Sequence, residues 1–197
     1  MPENSAFGGT PVTIFLDRDG VVNEKMPEGR YVARWDEFHL LPGVPEAIAR
    51  LNRAGLRVIV VSNQRGVALG LYSADDVKAL HVRLQDELLT RGAHVDAFYF
   101  CPHDKGVCDC RKPLPGMFEE ARRAFPEIEA ATSVMIGDSA TDIEFGKRLG
   151  MRTVFIEGDP AFIEGDPARQ KPGTQAAGDA ADARFTSLQD AVDALLG

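Results

Sequence analysis

The chain has 197 residues, 44% hydrophobic and 26% charged, the make-up of one ordinary globular domain long enough to bury a full core. Thirty acidic residues against 22 basic ones give a formal charge of −8, which argues against the basic footprint that nucleic-acid binding needs. No apolar run approaches the roughly 18 residues of a membrane helix. The opening MPENSAFGGTP lacks a basic region and an apolar core, so the expectation is a cytoplasmic protein with no membrane partner.

Val12 to Leu16 reads as a short buried strand that runs into Asp17, Asp19 and Gly20. A polar stretch holding Tyr31, Trp35 and Phe38 follows to about Pro42. Gly43 to Ala54 carries Val44, Ile48 and Leu51 at helical spacing, and Gly55 stops it. Leu56 to Val61 is a second strand, ending at Ser62 and Asn63. Ser73 to Arg91 is an amphipathic helix with Ser73 as its N-cap and Gly92 at its end. His81 lies inside that helical pattern and is expected on the surface.

Val95 to Phe100 is a third strand, Pro115 to Phe125 a helix, and Ser133 to Ile136 a fourth strand running into Gly137 and Asp138. Thr141 to Leu149 is a helix closed by Gly150, and Arg152 to Ile156 a fifth strand. Beyond it, Phe155 to Ala161 reads FIEGDPA and Phe162 to Ala168 repeats it. A copy of seven residues is too short for a structural repeat and suggests a tolerant surface loop, drawn over about 157–183. Thr186 to Leu196 reads as a closing helix.

Strands alternating with helices imply an α/β fold: a Rossmann-like, mostly parallel sheet with helices on both faces. Such sheets bind ligands at the carboxyl ends of their strands. Four of the five strands end in, or run directly into, residues capable of chemistry: Asp17, Ser62, the Cys101 segment and Asp138.

In an extended chain Asp17 and Asp19 point the same way, so one carboxylate can attack while the other handles a proton. Ser62 offers a hydroxyl and backbone N–H groups to a phosphoryl oxygen. Lys112 offers a positive charge. Asp138 ends a strand, and Asp142 follows in the first turn of the next helix. Nucleophile, Mg²⁺ ligands, charge clamp and proton shuttle are the parts that phosphoryl transfer needs.

Cys101-Pro-His103 and Cys108-Asp-Cys110 bring together every cysteine of the chain with one histidine, a Cys₃His set suited to structural Zn²⁺. His39, His81 and His94 have no such neighbours. A bound zinc ion would anchor the loop that carries Arg111 and Lys112.

The ordered set Asp17-Arg-Asp19-Gly20, Ser62-Asn63, Lys112 and Gly137-Asp138 with Asp142 resembles the four motifs of the haloacid dehalogenase superfamily, over Ile14 to about Glu157. The resemblance implies a single phosphatase domain over 1–197. Asp17 would be the nucleophile that forms an aspartyl-phosphate, and Asp19 the general acid and base. Mg²⁺ would be held by the Asp17 side chain, the Asp19 carbonyl and Asp138, with Asp142 orienting the site from behind. Ser62 and Lys112 would grip the transferring phosphoryl group.

The cysteine loop, with Arg111-Lys-Pro, is similar to the zinc-bearing, capless branch that holds heptose-bisphosphate and histidinol phosphatases. The stretches Tyr31 to Phe38 and Ser62 to Gly70 resemble the sugar side of that branch. They imply a phosphorylated heptose substrate, losing its 7-phosphate. Arg111, next to Lys112, and Arg65, after the second strand, carry charge suited to a second anionic part of it, with Asn63 as a further expected contact. The four-residue spacer Asp104 to Val107 is shorter than many heptose enzymes carry, which keeps histidinol phosphate or another small sugar or polyol phosphate as the alternative. A catalytically silent binding protein is a remoter one, since every expected carboxylate is present. A monomer is expected.

Overall fold

A computed structural model describes residues 12–27, 29–158 and 173–197. Six parallel strands form one sheet in the order β3-β2-β1-β4-β5-β6. They are β1 (Thr13–Leu16), β2 (Arg57–Asn63), β3 (Ala97–Cys101), β4 (Ser133–Gly137), β5 (Arg152–Ile156) and β6 (Ala183–Phe185). The helices are α1 (Val44–Arg53), α2 (Ala74–Thr90), α3 (Gly116–Ala124), α4 (Ala140–Leu149), α5 (Thr174–Ala180) and α6 (Leu188–Leu196).

The central strands are apolar throughout because both faces of the sheet are covered. Ile14, Leu16, Val58, Val60, Val134 and Ile136 face one way, onto Leu84 and Leu88 of α2, Ile48 of α1 and Val192 of α6. Phe15, Ile59, Val61 and Met135 face the other, onto Met117 and Phe118 of α3 and Phe145 of α4. That period of two fixes the register: Leu16 stands level with Val60 on one side and Ile136 on the other. Asp17 therefore leaves the sheet beside the ends of β2 and β4, where the strand order reverses and a crevice opens.

Most element bounds lie within two residues of the expected ones, and Ser73 caps α2 as the sequence suggests, accepting from the Asp76 N–H at 3.1 Å. Two expectations need correction. Helix α5 lies inside the expected loop over 157–183, and strand β6 begins at its last residue; Gly, Ala and Asp there give too little apolar periodicity to reveal them. The second FIEGDPA copy, Phe162 to Ala168, lies outside the described residues. His81 is not on the surface: it is 4% exposed, stacked on Phe98 at 4.7 Å and edge-on to Phe100. Burial, aided by Arg18, lowers its pKa to about 3, so it sits in the core as a neutral ring.

Candidate active site

The crevice gathers Asp17 from the end of β1, Asp138 from the end of β4 and Asp142 from the first turn of α4, with one oxygen of each within 4.8 Å of the others. Helix α4 sets Asp142 in place, because its Oδ2 accepts from the Ser139 N–H at 3.1 Å, closing the helix N-terminus. Its Oδ1 meets Lys112 Nζ at 2.6 Å.

Lys112 is 2% exposed, and all three of its N–H donors are used. They go to Asp17 Oδ1 at 2.7 Å, Asp142 Oδ1 at 2.6 Å and the Val61 carbonyl at 2.7 Å. Burial works against its charge, but Asp142 and Asp17 outweigh burial and hold the pKa above the usual lysine range. Asp17 goes the other way. Burial raises its pKa to about 7; Lys112 opposes this, and the neighbouring Asp142 and Asp138 add to it.

Lys25 is a member that the sequence reading missed. It lies in the polar stretch after β1, and its ammonium is paired with Asp138 Oδ2. Two ammonium groups thus face three carboxylates, which leaves one negative charge in excess. Burial disfavours the Lys25 charge, yet Asp138 and Asp17 hold its pKa above the usual range. Three converging carboxylate oxygens that draw in a lysine fit a hard divalent cation such as Mg²⁺.

The chain turns sharply just after Asp17. Gly20 has φ +104°, and a Cβ there would overlap the Asp138 carboxylate, so only glycine lets the loop lie this close. The turn sends the Asp19 side chain away from the acidic cluster, in place of the shared direction that an extended chain implies. Arg18 Nη2 donates to both Asp19 oxygens, at 2.9 and 3.0 Å. Asn23 Nδ2 donates to Oδ1 at 3.0 Å and Gln64 Nε2 to Oδ2 at 2.9 Å. Burial raises the pKa of Asp19, but Arg18 and these hydrogen bonds overcome it and hold the carboxyl below its usual range. The Arg18 guanidinium is fully buried, which nothing in the motif itself announced.

Ser62, at the end of β2, is 1% exposed, and its Oγ accepts from Gln64 Nε2 at 2.6 Å. Three residues read as substrate contacts have their side chains on protein partners. Asn63 bonds both polar groups of the Lys112 backbone, at 3.1 and 2.9 Å. Arg65 pairs with Asp104 at 2.6 Å. Arg111 reaches the His103 carbonyl with one of its five donors, at 3.4 Å.

The structure does bring together Cys101, His103, Cys108 and Cys110. Their ligand atoms all lie within 4.8 Å of one another, with Cys110–Cys101 at 3.0 Å, His103–Cys110 at 3.2 Å, Cys101–Cys108 at 3.5 Å and Cys101–His103 at 3.8 Å. A tetrahedron of ligands about 2.3 Å from zinc has edges of about 3.7 Å, so the cluster has the size of a metal cage. The thiols are free, and their spacing is far beyond a disulfide bond. Burial and the two neighbouring thiols push the Cys110 thiol well up, a cost of ionisation that a bound cation removes.

This loop is fastened to the end of β2 at three places: Asn63 to Lys112, the Gln64 N–H to the Cys101 carbonyl at 2.8 Å, and Arg65 to Asp104. Lys112 is thereby aimed from a loop into a crevice between strands.

Comparison with known proteins agrees with this geometry. The haloacid dehalogenase-like hydrolase family matches residues 10–150. D-glycero-beta-D-manno-heptose-1,7-bisphosphate 7-phosphatase of Rhodopseudomonas palustris is 41% identical over 153 residues, covering 74% of this chain and 83% of that one. D-glycero-alpha-D-manno-heptose-1,7-bisphosphate 7-phosphatase of Mycobacterium bovis is 38% identical over 89% of this chain and 86% of its own. Among solved structures, D,D-heptose 1,7-bisphosphate phosphatase from B. bronchiseptica, complexed with magnesium and phosphate, superposes with a TM-score of 0.79. It is 32% identical and covers 93% of this chain and 97% of its own. Motif order, strand-end carboxylates and a match over most of the chain converge: the chain belongs to the haloacid dehalogenase-like hydrolase family and is a phosphatase of it.

Proposed function

We propose that the chain removes the 7-phosphate from D-glycero-D-manno-heptose 1,7-bisphosphate, with Asp17 as nucleophile and water as final acceptor. The observation that carries the reading is the Asp17–Lys112–Asp142–Asp138 cluster at the switch point of the sheet, in a chain 38% to 41% identical to heptose-bisphosphate phosphatases. Asp17 Oδ attacks phosphorus, and the bond from phosphorus to the C7 oxygen breaks. Asp19 gives that oxygen its proton. Water then attacks the aspartyl-phosphate, Asp19 takes the water's proton, and inorganic phosphate leaves with the Asp17 carboxylate restored.

Asp19 rests below the usual carboxyl range, and an arriving phosphoryl dianion opposes the pull of Arg18, since a like charge raises a carboxyl's proton affinity. Ser62 holds one phosphoryl oxygen, and Lys112 holds another with the donor that Asp17 gives up as it attacks. Asp17, Asp138 and the Asp19 carbonyl are the proposed Mg²⁺ ligands, and Asp142 orients Lys112. Bound there, Mg²⁺ would neutralise charge on the transferring group. Arg111, next to Lys112, is the proposed contact for the sugar's second phosphate, which its planar fork suits.

The test is a panel of heptose 1,7-bisphosphate, fructose 1,6-bisphosphate and histidinol phosphate. The heptose ester should lead by at least about tenfold in kcat/KM, and Arg111→Ala should raise KM for it far more than for p-nitrophenyl phosphate. Faster turnover of histidinol phosphate would overturn the substrate and make the short spacer Asp104 to Val107 the better guide.

The Cys₃His cluster is proposed as a structural Zn²⁺ site. Elemental analysis should find about one zinc per chain, and Cys110→Ser should lower both zinc content and melting temperature, because metal binding and loop folding are one equilibrium. Zinc-free protein of full stability would sink this reading.

A further inference from the structure

Behind Asp19 and Ser62 lies a polar chain that the mechanism above does not use. Gln64 follows β2 directly, is 1% exposed, and has its backbone N–H tied to the Cys101 carbonyl. Its side-chain Nε2 donates to both Asp19 Oδ2 at 2.9 Å and Ser62 Oγ at 2.6 Å. Its Oε1 accepts from the hydroxyl of half-buried Tyr72 at 2.7 Å. The two ends of an amide are told apart by their hydrogen bonds. Turning this one would set Oε1 against the Asp19 carboxylate, so Asp19 fixes the orientation and leaves Oε1 to accept from Tyr72.

Space is kept for this arrangement. A Cβ on Gly66 would lie 2.7 Å from Tyr72 Oη and overlap the ring. Tyr31 packs edge-on against the same ring at 6.1 Å. Burial, against the pull of Arg18, raises the Tyr72 pKa to about 12, so the hydroxyl keeps its proton.

We propose that Tyr72 and Gln64 are a positioning pair that sets the proton-transfer group Asp19 and the phosphoryl-binding hydroxyl of Ser62 at once. The pair rests on the roles given to Asp19 and Ser62 above. Asp19 sets which end of the amide faces the site, and Tyr72, donating to Oε1, anchors the other end. Gln64 then holds one oxygen of Asp19 and fills a lone pair of Ser62 Oγ. That leaves the Ser62 proton free to point at an anionic oxygen. Neither Tyr72 nor Gln64 has to touch the substrate.

The test uses leaving groups. A sugar alkoxide needs a proton as it departs, whereas p-nitrophenolate departs without one, so misplacing Asp19 slows the first far more. Tyr72→Phe keeps the ring and removes the donor. It should lower kcat on the heptose ester about tenfold or more and on p-nitrophenyl phosphate only about twofold to threefold. Gln64→Met should show the same bias and also raise KM for both esters, through Ser62. The double variant should be no worse than Gln64→Met alone, because Tyr72 acts only through the amide.

Equal losses on both esters, or losses that multiply in the double variant, would overturn the pair and leave Tyr72 as packing. Asp19→Asn in the same assay separates the two possible failures. If it slows the sugar ester selectively while Tyr72→Phe does not, the pair alone is wrong. If it shows no leaving-group bias, the Asp19 assignment falls and takes the pair with it. Thermal melting of each variant controls for folding.

Discussion

Asp17 and Asp19 lie two residues apart and occupy opposite surroundings. The pocket around Asp17 is crowded with like charge: burial, joined by Asp142 and Asp138, takes its pKa to about 7 although Lys112 is bonded to it and pulls the other way. The pocket around Asp19 is built from donors, with Arg18, Asn23 and Gln64 filling both oxygens and holding its pKa low. In one pocket two ammonium groups are shared among three carboxylates; in the other a guanidinium serves a single carboxylate. The turn that begins at Arg18, whose carbonyl accepts from the Val22 and Asn23 N–H groups, puts the two side chains in these different fields. Adjacent groups of one chemical type can thus carry different tasks, and the difference lies in the neighbours that tertiary structure supplies.

Removing each carboxylate is the sharpest way to break the comparison. Asp17→Asn should lower turnover by at least about a thousandfold, since the covalent step is lost. The same change should raise the melting temperature of metal-free protein at pH 7.5 by a few degrees, because a disfavoured buried charge is gone. Retention of a tenth of the activity would remove Asp17 from the nucleophile's role.

Asp19→Asn should cost about 10²- to 10⁴-fold on the sugar ester. Its effect on stability should have the opposite sign, a loss of about 1–3 kcal/mol, because buried donors lose their carboxylate. Calorimetry of both variants reads the two signs side by side. Equal signs would mean that the pockets are not as different as their geometry.

Acidity gives a smaller effect. The folded pKa of Asp17 is raised from 3.8 to about 7, so its protonated form favours folding. That contribution is complete below about pH 4 and is lost as pH rises through about 7. A divalent cation prefers the ionised carboxylate. The gain in melting temperature on adding Mg²⁺ should therefore be small near about pH 5.5 and larger near about pH 8. A gain independent of pH would detach Asp17 from the metal.

The smallest effect tests the resident cation. Lys25→Gln removes the ammonium that Mg²⁺ has to displace from Asp138, so calorimetric Mg²⁺ affinity should rise about threefold to tenfold, roughly 0.7–1.4 kcal/mol. Weaker binding would mean that Lys25 does not compete with the ion.

Much of the site was legible because its signals are local. Asp17 and Asp138 follow apolar strands, Asp142 sits in a helix's first turn, and Cys101 to Cys110 is one short loop whose three cysteines and histidine the structure gathers. What escaped depends on contacts between distant segments. Lys25 lies in a stretch without periodicity, and its pairing with Asp138, like the bridge from Asn23 to Leu40 beside it, joins segments far apart in the chain. Gln64 and Tyr72 are ordinary polar residues of a loop until Asp19 is beside them. Arg65 and Arg111 were read by charge as substrate contacts, but charge alone does not say that Asp104 and the His103 carbonyl lie within their reach. His81 looked like a surface residue because helical spacing places a side chain on a stripe without saying what covers it.

Gly20 has a consequence for anyone who maps this protein by saturation mutagenesis. It has no side chain to attack, donate or coordinate, yet every substitution would have to displace Asp138 from the crevice and hold a left-handed backbone as well. A library scored by activity should therefore rank Gly20 with Asp17 among the least tolerant positions. Read naively, the tolerance map would credit it with chemistry; what it records at that position is occupied space.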